Sequence, residues 1–360
     1  GPIPTAQAFY KASLIKGKKL SLWKQAMMVD HYMAECVLVG GARRSSRMAT
    51  KFYKDPGAKE FALFKRTHLD NSGYPIFYSS NNSIVTDEEF WKQDTEENKD
   101  LLETCLQTAY HDGTGEPGFI NAYKFAKEYV DASLFLTGEY VGNSKYIPLG
   151  PGKKLLAKLG EIFVNLNNKF ITNPCGEISL PVLSGNCTIG DVVPFHCTNE
   201  DDVEASFRAT TRALIRVNTM DALYNVELKR TNRIGVSFTG LHEYAWQAFG
   251  LSFRDMLDEQ GKAKYFWKAM SRFARAVKDE AKIYSTKLGV TTPKTDTTVK
   301  PAGSTSKLFA LTEGAHLPAM REYLRNMQFR SDDPLVEYYR AKGYPVQELT
   351  SYKGTSIVGF

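Results

Sequence analysis

Two long segments of the chain carry apolar or small residues with a helical period, at spacings of three, four or seven, which predicts amphipathic helices over residues 201–226 and 262–288. The first stripe consists of Val203, Phe207, Thr210, Leu214, Val217 and Tyr224, and the second of Phe266, Met270, Phe273, Val277, Ala281, Tyr284 and Leu288. Gly289 should end the second helix, because glycine adopts a left-handed backbone without steric cost. We expect both stripes to lie in the core and to carry no chemistry.

Shorter helical and strand-like patterns alternate along the rest of the chain. Residues 5–36 predict a broken helix, and residues 40–50 predict a loop that leads into a helix. In residues 74–91 a strand pattern is followed by Thr86 and Asp87, which should cap a helix that begins with two glutamates. The last seven residues predict a strand. This alternation indicates the α/β class.

Composition fits a cytoplasmic protein. No apolar run approaches the roughly 18 to 20 residues that a membrane span needs. The N-terminal residues also lack the apolar core of a signal peptide. We therefore expect a cytoplasmic protein with no membrane partner.

Charge and cysteine content exclude several kinds of site. The net charge of +6 agrees with a phosphate-bearing ligand, but no block of like charges indicates binding to nucleic acid. The five cysteines are odd in number, widely spaced and without a CxxC pair. They therefore predict neither a disulfide framework nor a zinc site, and we expect no metal ligands.

One cysteine stands at the tip of a predicted turn. The turn consists of Asn173, Pro174, Cys175, Gly176 and Glu177. Its proline and glycine exclude a regular helix or strand, and an amide and a carboxylate flank the cysteine at a distance of two residues. A second cysteine, Cys187, follows twelve residues later. Considered alone, the first cysteine would be explained equally well as a buried, inert thiol.

A second segment has the form of an anion site. Residues 297–308, TTVKPAGSTSKL, predict a strand end, a turn with one glycine and a helix start rich in hydroxyls. Free N–H groups at a helix start, with hydroxyls beside them, favour negatively charged ligands. The segment lacks the GxxxxGK[ST] pattern of a P-loop. On its own it is explained more simply as an ordinary capped helix.

Together these features resemble the ribonucleotide reductases. The proline and glycine around Cys175 resemble the adenosylcobalamin-dependent class (class II) more than the iron-dependent class. The segments that carry the resemblance occur in an order and spacing similar to the family's. They are GGARRSS (40–46), NNSIV (81–85), TGEPGF (114–119), NPCGEI (173–178), RIGVSFTGL (233–241), KPAGSTSKL (300–308) and EGAH (313–316).

The resemblance implies a fold. The family has a ten-stranded α/β barrel, made of two half-barrels, with a central finger loop that carries the cysteine. Residues 1–360 would form one catalytic α/β barrel domain of this kind, with its N-terminal and C-terminal parts missing.

It also implies a reaction, the radical-based reduction of ribonucleotides to 2′-deoxyribonucleotides. A thiyl radical on Cys175 would abstract the hydrogen from the 3′ carbon of the ribose. Glu177 would act as general base on the 3′-hydroxyl, and Asn173 would hold the sugar hydroxyls. Cys187 would belong to a redox pair that ends as a disulfide. Its partner is not identified, because Cys36 is expected to be structural.

Two further groups of residues follow from the resemblance. The substrate phosphates would be held by Ala302, Gly303, Ser304, Thr305 and Ser306. Specificity loops, which relay the identity of a bound effector, would contain Gly41, Arg43, Arg44, Asp70, Asn71 and Ser72. The two arginines would suit a solvated helix start equally well.

The implied cofactor is adenosylcobalamin. The implied partners are a ribonucleotide substrate, a deoxynucleotide effector, a dithiol or thioredoxin-like reductant, and a complementary chain of a split enzyme. Two alternatives stay open: the large subunit of an iron-dependent (class I) reductase, and a non-catalytic fragment that binds nucleotide and a complementary chain. Whether the substrate is a diphosphate or a triphosphate also stays open.

Overall fold

The computed structural model describes residues 21–34, 47–69, 73, 80–112, 115–121, 170–181, 186–220, 225–317, 324, 326–349 and 354–360. The chain divides into two compact units. One consists of Gly1–Tyr123 and Met320–Phe360, and the other of Lys124–Ala319.

The first unit contains a parallel sheet flanked by helices. Its strands, in the spatial order β1-β2-β3, are β1 (Arg47–Phe52), β2 (Ser80–Thr86) and β3 (Gly118–Asn121). The helices are α1 (Leu22–Ala34), α2 (Ala58–Ala62), α3 (Phe64–Thr67), α4 (Glu88–Lys92) and α5 (Glu96–Asp112). Buried side chains of the sheet and helices, among them Phe61, Phe64, Ile84 and Phe90, form one core cluster. This arrangement covers a parallel sheet with helices, as such sheets require.

The same unit contains an antiparallel sheet near the end of the chain. Its strands, in the order β8-β10-β9, are β8 (Asn326–Arg330), β9 (Val346–Glu348) and β10 (Thr355–Gly359). Helix α12 (Pro334–Ala341) is capped by Asp333, whose side chain accepts a hydrogen bond from the N–H of Leu335 at 2.9 Å.

The second unit is built on two parallel strands and a set of helices. The strands are β6 (Thr188–Val192) and β7 (Ile234–Phe238), and a short hairpin joins β4 (Phe170–Thr172) to β5 (Ser179–Pro181). The helices are α6 (Glu200–Asn218), α7 (Asn225–Thr231), α8 (Leu241–Phe249), α9 (Phe253–Met256), α10 (Lys264–Leu288) and α11 (Thr305–Leu308), and a 3₁₀ turn covers Pro194–His196. Helices α6 and α10 pack against each other through the stacked rings of Phe207 and Phe273, whose centroids lie 5.5 Å apart.

Several predicted elements are confirmed. Helix α10 ends at Gly289, whose φ is 65°, and Asp87 caps α4 by accepting a hydrogen bond from the N–H of Phe90 at 3.0 Å. The predicted strand at the end of the chain is β10. Of the helix predicted over residues 5–36, the residues before 21 and after 34 lie outside the described residues, and α1 accounts for residues 22–34.

Two predictions are wrong. Residues 47–50, predicted as the end of a loop that leads into a helix, instead belong to strand β1, because residues 47–52 pair in parallel with β2. Val217, which was predicted to lie in the core, is 48% exposed. Helix α6 ends one residue later, and there Asn218 is buried instead. The Asn218 side chain donates hydrogen bonds to Asn232 Oδ1 at 2.8 Å and to the carbonyl of Arg233 at 3.1 Å.

Among the described residues, none of the helices has the length and apolar character needed to cross a membrane. Within the same residues, no group of three or more His, Cys, Asp or Glu side chains is placed to hold a metal ion.

Candidate functional site

The cysteine turn is the tip of the β4–β5 hairpin, and Asn173 closes it. Its N–H donates to the carbonyl of Ile178 at 3.0 Å, and its side-chain Oδ1 accepts from the N–H of Ile178 at 3.0 Å. The N–H of Gly176 donates back to the Asn173 carbonyl at 2.9 Å. Gly176 has a φ of 83°, which explains why glycine follows the cysteine. Three hydrogen bonds therefore fix the loop that presents the sulfur.

Both cysteines of the predicted site are thiols at neutral pH. Partial burial of the sulfur raises the pKa of Cys175, although the residue is exposed at the surface. The negative charge of Glu177 raises this pKa further, and the positive charge of Lys300 lowers it. Burial raises the pKa of Cys187 to about 12. The positive charge of Arg233 lowers this pKa, and the negative charge of Glu177 raises it.

Glu177 acts on both sulfurs, so the structure brings the two cysteines and this carboxylate into one electrostatic neighbourhood. The Oε2 atom of Glu177 is buried and has no hydrogen-bond partner within the described part of the chain. Its backbone carbonyl accepts a hydrogen bond from Thr298 Oγ1 at 3.0 Å. The residue is therefore anchored through its main chain while its carboxylate keeps an oxygen free.

An ion pair that the sequence did not reveal lies beside these groups. Lys300 Nζ contacts Asp191 Oδ2 at 2.8 Å, and the Asp191 side chain is only 2% exposed. The N–H of Lys300 donates to Ser237 Oγ at 2.8 Å, and Ser237 pairs with Asp191 across the two parallel strands. The ammonium that influences Cys175 is thus held at the carboxyl ends of β6 and β7.

Four of the quoted sequence segments meet in this unit. Thr298, just before KPAGSTSKL, contacts both the cysteine loop and Gly235 of RIGVSFTGL. The N–H of Gly240 donates to the carbonyl of Thr312 at 3.1 Å, and a Cβ on Gly314 of EGAH would lie 2.3 Å from the carbonyl oxygen of Lys300. Segments far apart in sequence are therefore neighbours around β7 and the turn that follows it.

The predicted phosphate loop forms a turn followed by the four-residue helix α11. Ala302 is buried with a φ of 55°, and Ser304 precedes the helix without capping it through its side chain. The N–H groups of Gly303 and Ser304 donate to no acceptor among the residues described. Ser306 Oγ is buried, also without a partner in that part of the chain. The loop thus offers free donors on its exposed side.

The remaining predicted site residues are not among those that the structure describes. All six residues assigned to the specificity loops, Gly41, Arg43, Arg44, Asp70, Asn71 and Ser72, lie outside the described residues, as does Cys36. In the first unit, NNSIV and TGEPGF are adjacent, since the N–H of Asn82 donates to Glu116 Oε2 at 3.3 Å.

Sequence reasoning missed Thr298, Asp191, Lys300 and Arg233. Lys300 and Arg233 each open a quoted segment, so the motifs contained them without indicating a role. Asp191 gave no local signal, because a carboxylate within a short strand is ordinarily exposed.

Comparison with known proteins shows the following similarities. No family model matches the chain. It is 26% identical over 370 residues to an adenosylcobalamin-dependent ribonucleoside-triphosphate reductase of Lactobacillus gasseri, covering 96% of this chain and 43% of the relative. It is 30% identical over 380 residues to a reductase of the same description from Lactobacillus helveticus, covering 99% of this chain and 45% of the relative. The chain thus spans less than half the length of these curated relatives.

A solved structure is similar over the whole chain. A B12-dependent (class II) ribonucleotide reductase superposes with a TM-score of 0.63 at 21% sequence identity, covering 100% of this chain and 46% of that one. The α/β fold is therefore similar to that of a class II reductase. The resemblance recognised from the motifs is confirmed over nearly the whole chain.

Proposed function

We propose that this chain, a homologue of part of the adenosylcobalamin-dependent ribonucleotide reductases, carries the centre that replaces the 2′-hydroxyl of a ribonucleotide by hydrogen. The observation that carries the proposal is the position of Cys175 at the tip of a loop closed by three hydrogen bonds, two residues before a glutamate whose Oε2 is buried without a partner among the described residues. The charge of this glutamate also acts on Cys187. We propose a triphosphate substrate, because the relatives are described as triphosphate reductases.

The sulfur of Cys175 would be the first protein atom to react. Hydrogen-atom transfer requires an S–H bond, and the raised pKa keeps the hydrogen on this sulfur at neutral pH. Adenosylcobalamin, when bound, would supply the radical that removes this hydrogen, and the exposed tip of the loop gives it access. The resulting thiyl radical would take the hydrogen from the 3′ carbon of the ribose. The rigid turn would then act by holding the sulfur at the reacting distance.

Glu177 would accept the proton of the 3′-hydroxyl. A general base needs a free oxygen within hydrogen-bond reach of the proton, and Oε2 supplies one in a buried position. Loss of this proton favours departure of the 2′-hydroxyl as water. Asn173 would hold the sugar hydroxyls through its side-chain nitrogen, because its oxygen already accepts from Ile178.

Cys187 would supply reducing equivalents together with a second thiol. Two thiols lose two hydrogens and form one disulfide, which balances the replacement of one hydroxyl by one hydrogen with release of water. A dithiol or thioredoxin-like reductant would restore the pair.

The substrate phosphates would bind at the loop from Ala302 to Ser306. Its free N–H groups and the Ser304 hydroxyl supply the donors. The ten-stranded barrel, the effector loops and a complementary chain that completes the enzyme are parts of the same proposal. They are supported by the similarity to relatives that are more than twice as long.

An assay of nucleotide reduction tests the proposal. The complete protein that contains this chain should convert a ribonucleoside triphosphate to the deoxynucleotide with adenosylcobalamin and a dithiol, without iron, manganese or a second radical-generating subunit. The matched control is Cys175→Ser, which removes the hydrogen-donating sulfur and little volume. It should abolish product formation while nucleotide binding persists.

Product formation by the serine variant would overturn the assignment of Cys175. Activity that depends on iron or manganese and ignores cobalamin would instead support the iron-dependent alternative. Nucleotide binding without turnover in the complete protein would support the non-catalytic one.

A further inference from the structure

Thr298 connects two elements that are distant in sequence. Its Oγ1 donates a hydrogen bond to the carbonyl of Glu177 at 3.0 Å, across 121 residues of chain. The bond reaches the cysteine loop at the residue whose carboxylate we propose as general base.

The backbone around Thr298 is fixed to β7. The N–H groups of Ile234 and Val236 donate to the carbonyls of Thr295 and Asp296 at 3.1 and 2.9 Å. The N–H of Thr298 in turn donates to the carbonyl of Val236 at 3.1 Å. Its hydroxyl therefore starts from a backbone held by a buried strand.

The orientation of the Thr298 side chain is fixed as well. A Cβ built on Gly235 would lie 2.8 Å from Thr298 Cγ2 and 3.2 Å from Ile178 Cδ1, so the methyl group and the isoleucine both occupy the space above this glycine. A β-branched side chain has few rotamers. With the methyl seated on Gly235, the hydroxyl is directed to the cysteine loop.

We propose that Thr298 is a positioning residue for Glu177, setting the place of its main chain and hence of its carboxylate relative to both cysteines. The inference rests on the proposed function for the catalytic role of Glu177, but the placement of the loop can be measured without it.

Two substitutions separate the hydroxyl from the methyl. Thr298→Val keeps the shape and removes the donor, whereas Thr298→Ser keeps the donor and removes the methyl. Thr295→Val is the matched control, because Thr295 Oγ1 also donates to a backbone carbonyl, that of Ile234 at 3.3 Å, within the same segment but away from the loop.

Hydrogen exchange tests the placement independently of turnover. Amide exchange at Gly176 and Ile178 should accelerate about fivefold in Thr298→Val, the factor that corresponds to about 1 kcal/mol for one net hydrogen bond. It should lie between wild type and Thr298→Val in Thr298→Ser, which keeps the donor but loses the methyl that orients it, and within twofold of wild type in Thr295→Val. Equal exchange in Thr298→Val and Thr295→Val would overturn the positioning role, whether or not the protein reduces nucleotides.

Kinetics of the complete protein test the catalytic consequence. Thr298→Val should lower kcat about fivefold with KM within twofold, since the hydrogen bond orients the base and not the phosphates. Thr298→Ser, which keeps the donor but not the methyl that orients it, should restore part of kcat. A rise in KM without loss of kcat, or a serine variant as impaired as the valine variant, would contradict the proposal. Wild-type inactivity would count against the proposed function alone, because the exchange result would still decide the role of Thr298.

Discussion

The cysteine loop and the phosphate loop both contain a glycine beside the residue of interest, but the two glycines serve different purposes. Gly176 adopts a left-handed conformation within a loop closed by three hydrogen bonds. In the phosphate loop the left-handed residue is Ala302, and Gly303 faces open space, with no atom within 4 Å of a Cβ built on it. A Cβ built on Gly176 would also meet no atom within 4 Å, so the two glycines differ in backbone conformation. Only Gly176 is left-handed, and we propose that the open space at Gly303 receives the substrate phosphates. Only the second role predicts an effect on binding without an effect on folding.

Gly303→Val gives the largest expected effect. The added side chain would occupy the space that the substrate phosphates need, so we expect KM to rise about tenfold or more, equivalent to about 1.4 kcal/mol of binding. The melting temperature should not change, because no atom of the described residues lies within 4 Å of a Cβ at this position. Steady-state kinetics and thermal unfolding measure the two quantities. Unchanged substrate affinity would return the loop to an ordinary helix start.

Gly176→Ala should show the opposite pattern. An alanine at a φ of 83° costs about 1–2 kcal/mol. We expect the free energy of unfolding, or the local opening energy of the loop, to fall by that amount, measured by denaturant unfolding and by amide exchange at Ile178. If Gly176→Ala raised KM as much as Gly303→Val does, the two glycines would not differ in their effects on stability and on binding, and the comparison would fail.

Asp191→Asn tests the ion pair that lies between the loops. Without the carboxylate, the positive charge of Lys300 is no longer compensated, so the pKa of Cys175 should fall and more thiolate should be present at pH 8. We expect Cys175 to be alkylated two- to threefold faster, a change of a few tenths in pKa, as measured by mass spectrometry of the labelled peptide. The alkylation rate of Cys105, which is buried in the other unit, serves as the internal reference. A slower reaction at Cys175 would contradict the assigned sign.

Ala302→Gly should have the smallest effect. Relief of the left-handed strain favours glycine by about 1–2 kcal/mol, whereas loss of a buried methyl and added chain entropy oppose it by a similar amount. The free energy of unfolding should therefore change by less than about 1 kcal/mol in denaturant titration. A large loss would mean that the Ala302 methyl contributes more to packing than its conformation costs.

Local sequence patterns predicted those helices and caps that depend on residues close together in the chain. The stripe from Phe266 to Leu288 and the stop at Gly289 follow from helical periodicity, and the cap at Asp87 follows from side-chain chemistry. The strand at residues 47–52 could not be predicted in this way. Met48, Ala49 and Lys51 suit a helix, and only pairing with β2 makes the segment extended.

For the candidate site too, the sequence predicted the local turns but not the contacts between distant segments. The turn around Cys175 and the loop around Gly303 are visible because proline, glycine and hydroxyl residues mark turns locally. The Asp191–Lys300 pair and the bond from Thr298 to Glu177 depend on contacts across 109 and 121 residues, and no local pattern encodes them.

The Thr298–Glu177 bond also bears on when the site forms during folding. Contacts between residues far apart in sequence require closure of a long loop before they yield any energy, so they tend to form late. Helices such as α10 can form from local contacts, whereas we expect the cysteine loop to reach its position after residues 295–298 have bonded to β7. We expect Cys175 to acquire its native reactivity in the last phase of refolding, which pulsed alkylation would time against helix formation. The sulfur proposed to begin the reaction would then be among the last atoms to reach its place.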